Sequence, residues 1–560
     1  MDHWLAVSKF TAWDWEVLIV YLAFTTFLGY LLRARDATIR DFFLGGRKLP
    51  WLAVSGSIIA TEVSAVTFIS VPAIVYVEGG NITYLQLAIG TILARVIIGF
   101  WFTPAFYARE IYSPYQYMGD QLGPGVGQVT TGLFFLGAVL GQGVRVYATA
   151  LVLQTITGWP LAWSIWAIGL IAILWTWLGG ITTVIWTDVV QFLVFIIGGL
   201  VALLWIFAHV PGGAPAVFSE AAAAGKFRFW NLTTDPTVAF TLWAGLFGST
   251  FLTLASHGTD QMMAQRMFCC RSARDARKAV IWSSTSQVVT ILMVLVGAGL
   301  YVFYRHFPLP EQRVAFIAQK LDRIFPVFIL DVLPPGVTGL IIAGIFAAAI
   351  SSLDSTLAAL AQTTVSTVYR PLARTERDEA HYIRVSRLMI LFWGLALSAM
   401  ALFCSRIQRY PDLVNLALSM TGYTYGALLG SFLLALLPAR VDGRGLFYGV
   451  PLSVVLVFGL SWHGPAQRLV VLALALAIAG TACWRMRGEA GAVAVVLVLA
   501  LAAVLIAWAP IGLDPAGKPL YLQLAWPWNY PIGCAVTMAC GLAVGRRREA
   551  GAAGAEPARA

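Results

Sequence analysis

Apolar runs of about 20 residues recur from one end of the chain to the other, separated by short connections that carry most of the charge. Runs of that length suffice to cross hydrocarbon as helices. They predict spans near 14–33, 50–76, 81–105, 126–157, 160–178, 183–208, 237–258, 279–304, 336–367, 383–404, 412–437, 444–462, 467–484, 490–509 and 526–545. The fold class is therefore an all-α polytopic membrane protein with about 15 transmembrane spans. The stretches 215–228 and 310–323 read as short amphipathic or irregular pieces between spans.

Composition agrees with that pattern. Hydrophobic residues make up 59% of the 560 and charged residues 11%, which leaves no evident soluble domain. A net charge of +10 in a soluble domain would suggest nucleic acid. Here the basic residues sit in short connections, where they set orientation, so no nucleic-acid partner is expected. Arg33, Arg35, Arg40, Arg47 and Lys48, then Arg266, Arg271, Arg274, Arg277 and Lys278, then Arg370, Arg374 and Arg377, later Arg485 and Arg487, and finally Arg546, Arg547 and Arg548 all fall on one side. That places the N-terminus outside and the C-terminus in the cytoplasm of a multi-pass plasma-membrane protein. The first run lacks a basic leader and cleavage site and reads as a retained span. The tail Glu549–Ala560 is Ala/Gly-rich and reads as disordered.

Six cysteines lack any paired spacing, and Cys269-Cys270 fall among arginines on what reads as a cytoplasmic loop, so no disulfide framework is expected. No Walker loop and no zinc-type cluster occur, which argues against ATP-driven transport, a cofactor or an enzyme.

The polar residues inside the apolar runs carry the chemistry. Between Asp331 and Arg370 the only charge is Asp354, with Ser351, Ser352 and Ser355 beside it on one small-residue helix. A carboxylate in a span costs several kcal/mol unless it meets a partner, a cavity or an ion. Hard oxygen ligands suit a small hard cation; alternatively the serines only let helices pack closely. The second span holds Ser55 through Thr67 with Glu62 as its single charge, and the seventh holds Gly245, Gly248-Ser249-Thr250, Thr253 and Ser256-His257-Gly258. Two such interruptions five spans apart point to an inverted-repeat transporter whose site lies where the helices unwind. Arg145 is the only charge between Asp120 and Asp188. It suits either an ion pair with Glu62 or Asp188, or a two-donor clamp on a substrate carboxylate. Asp188 itself reads equally as a helix-terminal acid or a functional one. Arg95 in the third span has no evident partner and reads as structural.

Phe43-Leu44-Gly45-Gly46-Arg47, Ile59 through Ala65, Trp186-Thr187-Asp188, Asp260-Gln261, Gln265-Arg266 and Ala348 through Ser355 together resemble the sodium/solute symporter family, which includes sialic acid, monocarboxylate, glucose and proline cotransporters. The run Ala525 through Tyr530 resembles it too. The likeness implies a leading helix (1–37), a five-plus-five inverted-repeat core with two discontinuous helices (38–437), additional C-terminal helices (438–545) and a cytoplasmic tail (546–560). The spans near 467–484 and 490–509 exceed the family's usual number. Carried over by position, the main sodium site would use the carbonyls of Ala60, Val63 and Ala348 with the hydroxyls of Ser351 and Ser352. A second sodium would lie at Asp188 with Ser351, Asp354 and Ser355, although the family often has a hydroxyl where this chain has Asp354. Substrate contacts would be Ser64, Thr67, Gln86 and Arg145, with Glu62 nearby. Ser256-His257-Gly258 replaces the aromatic gate of sugar cotransporters, which disfavours a plain hexose; a zwitterion spanning Arg145 and Glu62 also fits. The implied function is a sodium-coupled symporter importing a small, carboxylate-bearing solute such as a sialic acid or monocarboxylate by alternating access. A sodium/sugar cotransporter and a transporter-like solute sensor are the alternatives. Its partners would be sodium, the solute and the lipid bilayer, with oligomeric state left open.

Overall fold

Hydrocarbon offers no hydrogen bonds to a peptide backbone, so apolar runs close their own as helices. In the computed structural model a helix lies over each of the runs named above. The structure describes residues 10–32, 44–109, 111, 113–178, 181–373, 377–407, 409–437, 441–461, 464–513 and 517–546. Arg33, Arg35, Arg40, Phe43, Arg374, Arg547, Arg548 and the tail Glu549–Ala560 lie outside them.

The helices are α1 (Ala12–Leu32), α2 (Trp51–Glu62), α3 (Ala65–Tyr76), α4 (Ile82–Tyr107), α5 (Pro124–Thr157), α6 (Leu161–Leu178) and α7 (Ile181–His209). They continue with α8 (Thr250–Gly258), α9 (Gln261–Phe268), α10 (Ala273–His306), α11 (Val337–Leu372), α12 (Glu379–Cys404) and α13 (Leu413–Leu436). The last are α14 (Leu446–Ser461), α15 (Pro465–Arg485), α16 (Ala490–Trp508) and α17 (Asn529–Val544). Among the described residues nine helices are long and apolar enough to cross a membrane, or ten if the bent pair α2 and α3 is one span. Short helices Gly213–Ala223 and Glu311–Gln319 occupy the two amphipathic stretches. An exposed hairpin of β1 (Pro510–Leu513) and β2 (Pro519–Tyr521) precedes α17.

The interruptions matter most for the site. α2 and α3 meet at 57° across Val63 and Ser64, both extended. The second break is not among the glycines of the seventh run but just after them, at Thr259-Asp260 between α8 and α9. There Asp260 accepts from the Met262 N–H at 2.8 Å and caps α9. That run also starts later than expected. Asn231 and Asp235 side chains take the N–H groups of Thr233 (3.3 Å) and Thr237 (2.8 Å), which favours turns over helix. Regular structure begins with a π-helical turn at Ala244–Ser249.

That turn packs backbone to backbone against α4. A Cβ added at Gly90 would fall 2.1 Å from the Gly245 carbonyl oxygen, and one at Gly245 would fall 2.3 Å from the Gln86 carbonyl oxygen. Ser249 Oγ uses the closeness to donate to the Leu87 carbonyl at 2.7 Å. Gly90→Ala should therefore push the two helices apart and cost about 1–3 kcal/mol. A thermal unfolding midpoint equal to the parent's would mean the interface yields without strain.

Two large apolar clusters support the core, one around α3, α5, α7, α10 and α11 and the other around α2, α4, α9, α13 and α17. A third joins α14, α15, α16 and α17. Cys269 and Cys270, expected on a loop, are fully buried beside α9, and Leu49 bonds the Cys269 carbonyl at 3.1 Å.

Candidate functional site

Helix α2 ends because its ladder stops. Val63 N–H still bonds the Ile59 carbonyl at 2.9 Å, and the next such bond is Phe68 N–H to the Ser64 carbonyl at 3.2 Å. Carbonyls in between look for other donors. That of Thr61 receives Arg145 Nη1 and Ser352 Oγ, each at 3.1 Å. Ser352 Oγ is also 3.1 Å from the Ala348 carbonyl one turn earlier. The structure thus brings Ala348 and Ser352 of α11 against the last turn of α2, which contains Ala60, and the break that follows at Val63. Ser351, one residue round the helix, points instead to Asp188, donating to Oδ1 at 2.5 Å.

Asp188 on α7 is fully buried and is the hub of a second cluster. Ser57 of α2 donates to it, Thr61 Oγ1 lies 3.5 Å away, and Arg266 Nη2 pairs with Oδ2 at 3.1 Å. Arg266 does not lie on a cytoplasmic connection. It is fully buried on α9, where it also donates to Ser57 Oγ at 2.8 Å, to the Met262 carbonyl at 2.6 Å and to Ser355 Oγ. One member of each broken pair, α2 and α9, is thereby tied to the other and to α7 and α11. Of the four groups expected around a second cation, Asp188, Ser351 and Ser355 share this network. Asp354 turns to α6, where Thr176 Oγ1 donates to it at 2.9 Å.

The third feature is a cavity of about 190 Å³ between α3, α4, α5, α8, α10 and α13. Glu62, Ser64, Thr67 and Arg145 line it; Gln86 does not. Gln86 is fully buried and spends its amide on the Thr83 carbonyl (3.3 Å), the Phe240 carbonyl (3.4 Å) and the Asn231 N–H (3.2 Å). It anchors the loop before α8.

Two pairings expected as alternatives for Arg145 are replaced by others. Glu62 is held by Arg95, which also donates to Ser286 Oγ at 3.1 Å and lies 3.3 Å from His257 Nε2. Since an arginine N–H can only donate, His257 Nε2 accepts and its other nitrogen carries the proton toward Ser256 Oγ, 2.9 Å away. Arg95, without a partner in the sequence, is the counter-ion of Glu62. Asp188 is taken by Arg266. Arg145 is left with a neutral carbonyl, and among the described residues it makes no ion pair.

Residues that sequence reasoning left unassigned complete the cavity. Gln142, one turn before Arg145 on α5, directs Nε2 to Met262 Sδ at 3.8 Å, while its buried Oε1 has no hydrogen-bond partner among the described residues. Tyr425 on α13 lines the wall and donates to Asp260 at 2.7 Å. Thr91, Ser249, Thr253, Thr290 and Thr421 add hydroxyls. The only available signal for Gln142 was its place between Gly141 and Gly143 near a solitary charge.

A family model described as the sodium:solute symporter family matches residues 42–452. The chain is 28% identical to sodium-coupled monocarboxylate transporter 2 of Homo sapiens over 84% of this chain and 76% of that one. It is 29% identical to the sodium/sialic acid symporter SiaT of Proteus mirabilis (strain HI4320) over 84% of this chain and 94% of that one. The solved structure of a Na+-coupled sialic acid symporter in a substrate-bound, outward-open state superimposes with a TM-score of 0.74 at 24% identity, covering 96% of this chain and all of that one.

Proposed function

The chain belongs to the sodium:solute symporter family, and from that premise we propose that it imports a small, polar, carboxylate-bearing solute together with sodium by alternating access. Sodium-coupled solute transport follows from membership; the class of solute is the proposal. The observation that carries it is Arg145, a guanidinium in the cavity wall whose two candidate counter-ions are each occupied by another arginine. A cation in a low-dielectric cavity whose neighbouring acid is already paired with another arginine favours an anionic guest, and its planar fork suits a carboxylate. The surrounding hydroxyls and the unpartnered Gln142 Oε1 favour a solute with hydroxyl or amide donors. A relative is named for sialic acid and another for monocarboxylates, and both classes bear a carboxylate.

In this reading the carbonyls of Ala60, Val63 and Ala348 and the hydroxyls of Ser351 and Ser352 hold the coupling sodium, and Asp188, Asp354 and Ser355 with Ser351 serve a second cation. The fifteen helical stretches are spans, with α2 to α13 forming the two inverted repeats and breaks at corresponding places. Ser64 and Thr67 stand on the outer half of the broken pair, so sodium at its unwound point would set the substrate groups in place. Each ligand then raises the affinity for the other. Each sodium contributes about 2.3 kcal/mol per 100 mV of membrane potential.

Sodium-stimulated uptake by proteoliposomes, tested with labelled N-acetylneuraminate, lactate and glucose, distinguishes the solute classes. Uptake of glucose alone would favour the sugar-cotransporter reading. Solute binding without counterflow would favour a sensor. Ser352→Ala should raise the sodium concentration for half-maximal uptake severalfold, because an all-oxygen site loses one ligand while packing changes little. An unchanged sodium dependence at normal expression would remove Ser352 from the site.

A further inference from the structure

Three cations stand together at the start of α10. Arg274, Arg277 and Lys278 recur at i, i+3 and i+4, the spacing that puts side chains on one stripe of a helix. Like charges so placed repel one another, and the N-terminal end of a helix is the end whose dipole disfavours a cation. Asp275, three residues before Lys278, would be the natural partner, yet among the described residues none of the three makes an ion pair. Ala276, Ala279 and Val280 bury the other face of this turn, so packing leaves the cations on the outer one.

Aromatic rings hold two of the cations without neutralising them. Arg277 Cζ stands 4.8 Å from the centre of the Phe100 ring on α4, and Lys278 Nζ stands 5.9 Å from that of Trp51, the first residue of α2. Trp282, one turn after Lys278, meets Trp51 edge to face at 6.1 Å. Gly99 lets the two helices come close, since a Cβ there would fall 3.1 Å from Arg277 Cγ. Phe100 lies in a π-helical turn, Ile98–Phe102, and is 61% exposed. Val96 and Ile92 continue that exposed stripe along α4, one and two turns back. The exposed Trp101 and Trp282 have the character of a membrane-interface belt. An apolar stripe of the kind a span turns to hydrocarbon thus ends beneath three cations.

We propose that α2, α4 and α10 form at this end of the bundle a site for one anionic phospholipid, its phosphate held by Arg274, Arg277 and Lys278 and an acyl chain lying along Ile92, Val96 and Phe100. The cations call for an anion, and the stripe below them calls for a tail that a soluble phosphate lacks. Such a lipid neutralises charges that the helix leaves unpaired. It also braces the broken helix. Arg271 Nε donates to the Lys48 carbonyl at 3.0 Å, which straps the segment before α10 to the segment before α2. A lipid seated between Trp51 and Arg277 adds to that strap and steadies the start of α2, whose other end unwinds at Val63. The site is independent of which solute the central cavity takes.

The test uses the full chain in detergent micelles, with lipid binding read by native mass spectrometry. Dioleoylphosphatidylglycerol is the anionic probe, dioleoylphosphatidylcholine the zwitterionic control and glycerol 3-phosphate the headgroup without tails. The parent should bind the anionic lipid at least about fivefold more tightly than the zwitterionic one, and glycerol 3-phosphate should not displace it. Arg274→Gln with Lys278→Gln, both exposed, should weaken the anionic lipid by about tenfold or more, and Arg277→Gln by about fivefold. Arg485→Gln with Arg487→Gln removes the same charge from an exposed stretch at the end of α15 and should leave binding within about twofold. Each variant is compared after size exclusion shows a folded protein, and the exposed double variant decides the matter should Arg277→Gln fail to fold. Equal losses with the two double variants would mean diffuse attraction to a basic surface and overturn the proposal. Displacement by glycerol 3-phosphate would mean a soluble anion site, and a parent that does not distinguish the two lipids would mean no headgroup site; either result overturns it as well.

Discussion

Arg145→Lys is expected to weaken binding of the transported carboxylate by tenfold or more, although the charge is kept. Arg145 spends one donor on the Thr61 carbonyl at 3.1 Å and lies in the cavity wall, where Glu62 is paired with Arg95 and not with it. A lysine ammonium could replace that single bond but not the planar pair of donors that grips a carboxylate. Charge-assisted hydrogen bonds contribute about 1.5–3 kcal/mol each, and 1.4 kcal/mol is a factor of ten. The measurement compares the acid with its amide or methyl ester in parent and variant. An uncharged analogue that binds the parent as tightly as the acid would show that Arg145 does not hold a carboxylate. Because neither Glu62 nor Asp188 depends on Arg145 for its charge balance, the variant should fold and express normally.

Arg266→Met is expected to have the opposite profile, a large loss of stability of about 3–5 kcal/mol. Asp188 would keep its charge in a fully buried position with only hydroxyl donors from Ser57, Ser351 and the more distant Thr61. Leaving one member of a buried ion pair alone costs far more than replacing both. The double variant Arg266→Met with Asp188→Asn should therefore regain at least half of the loss in thermal unfolding. A double variant no more stable than the single would mean that Arg266 matters for its bonds to Ser57, Ser355 and the Met262 carbonyl and not for charge. Sodium adds a second readout. If the Asp188, Ser351 and Ser355 oxygens accept a cation, raising sodium should stabilise the single variant more than the double variant, which retains only the main sodium site. The same substitution unties α2 from α9, so it should also speed exchange to the inward-facing state in the alternating-access reading.

Hydropathy alone determined where the helices lie, because a chain in hydrocarbon has no other way to satisfy its backbone. It also singled out Glu62, Arg145, Asp188 and Asp354, since an ionisable group inside an apolar run must have a partner or a task. The polar run from Ser55 to Thr67 marked the first broken helix, and the family resemblance supplied the order of the motifs. Pairing was beyond the sequence. Glu62 and Arg95 are 33 residues apart and Asp188 and Arg266 are 78 apart, and which arginine meets which acid depends on how each helix is rotated against its neighbours. Arg266 read as a loop residue because it stands beside a basic stretch, yet the break at Asp260 turns α9 inward and buries it. The family resemblance carried Gln86 over as a substrate contact, but while Tyr84 and Leu87 line the cavity, Gln86 turns to the loop before α8. Helices form from nearest neighbours along the chain, whereas a charge finds its partner only when whole helices have packed.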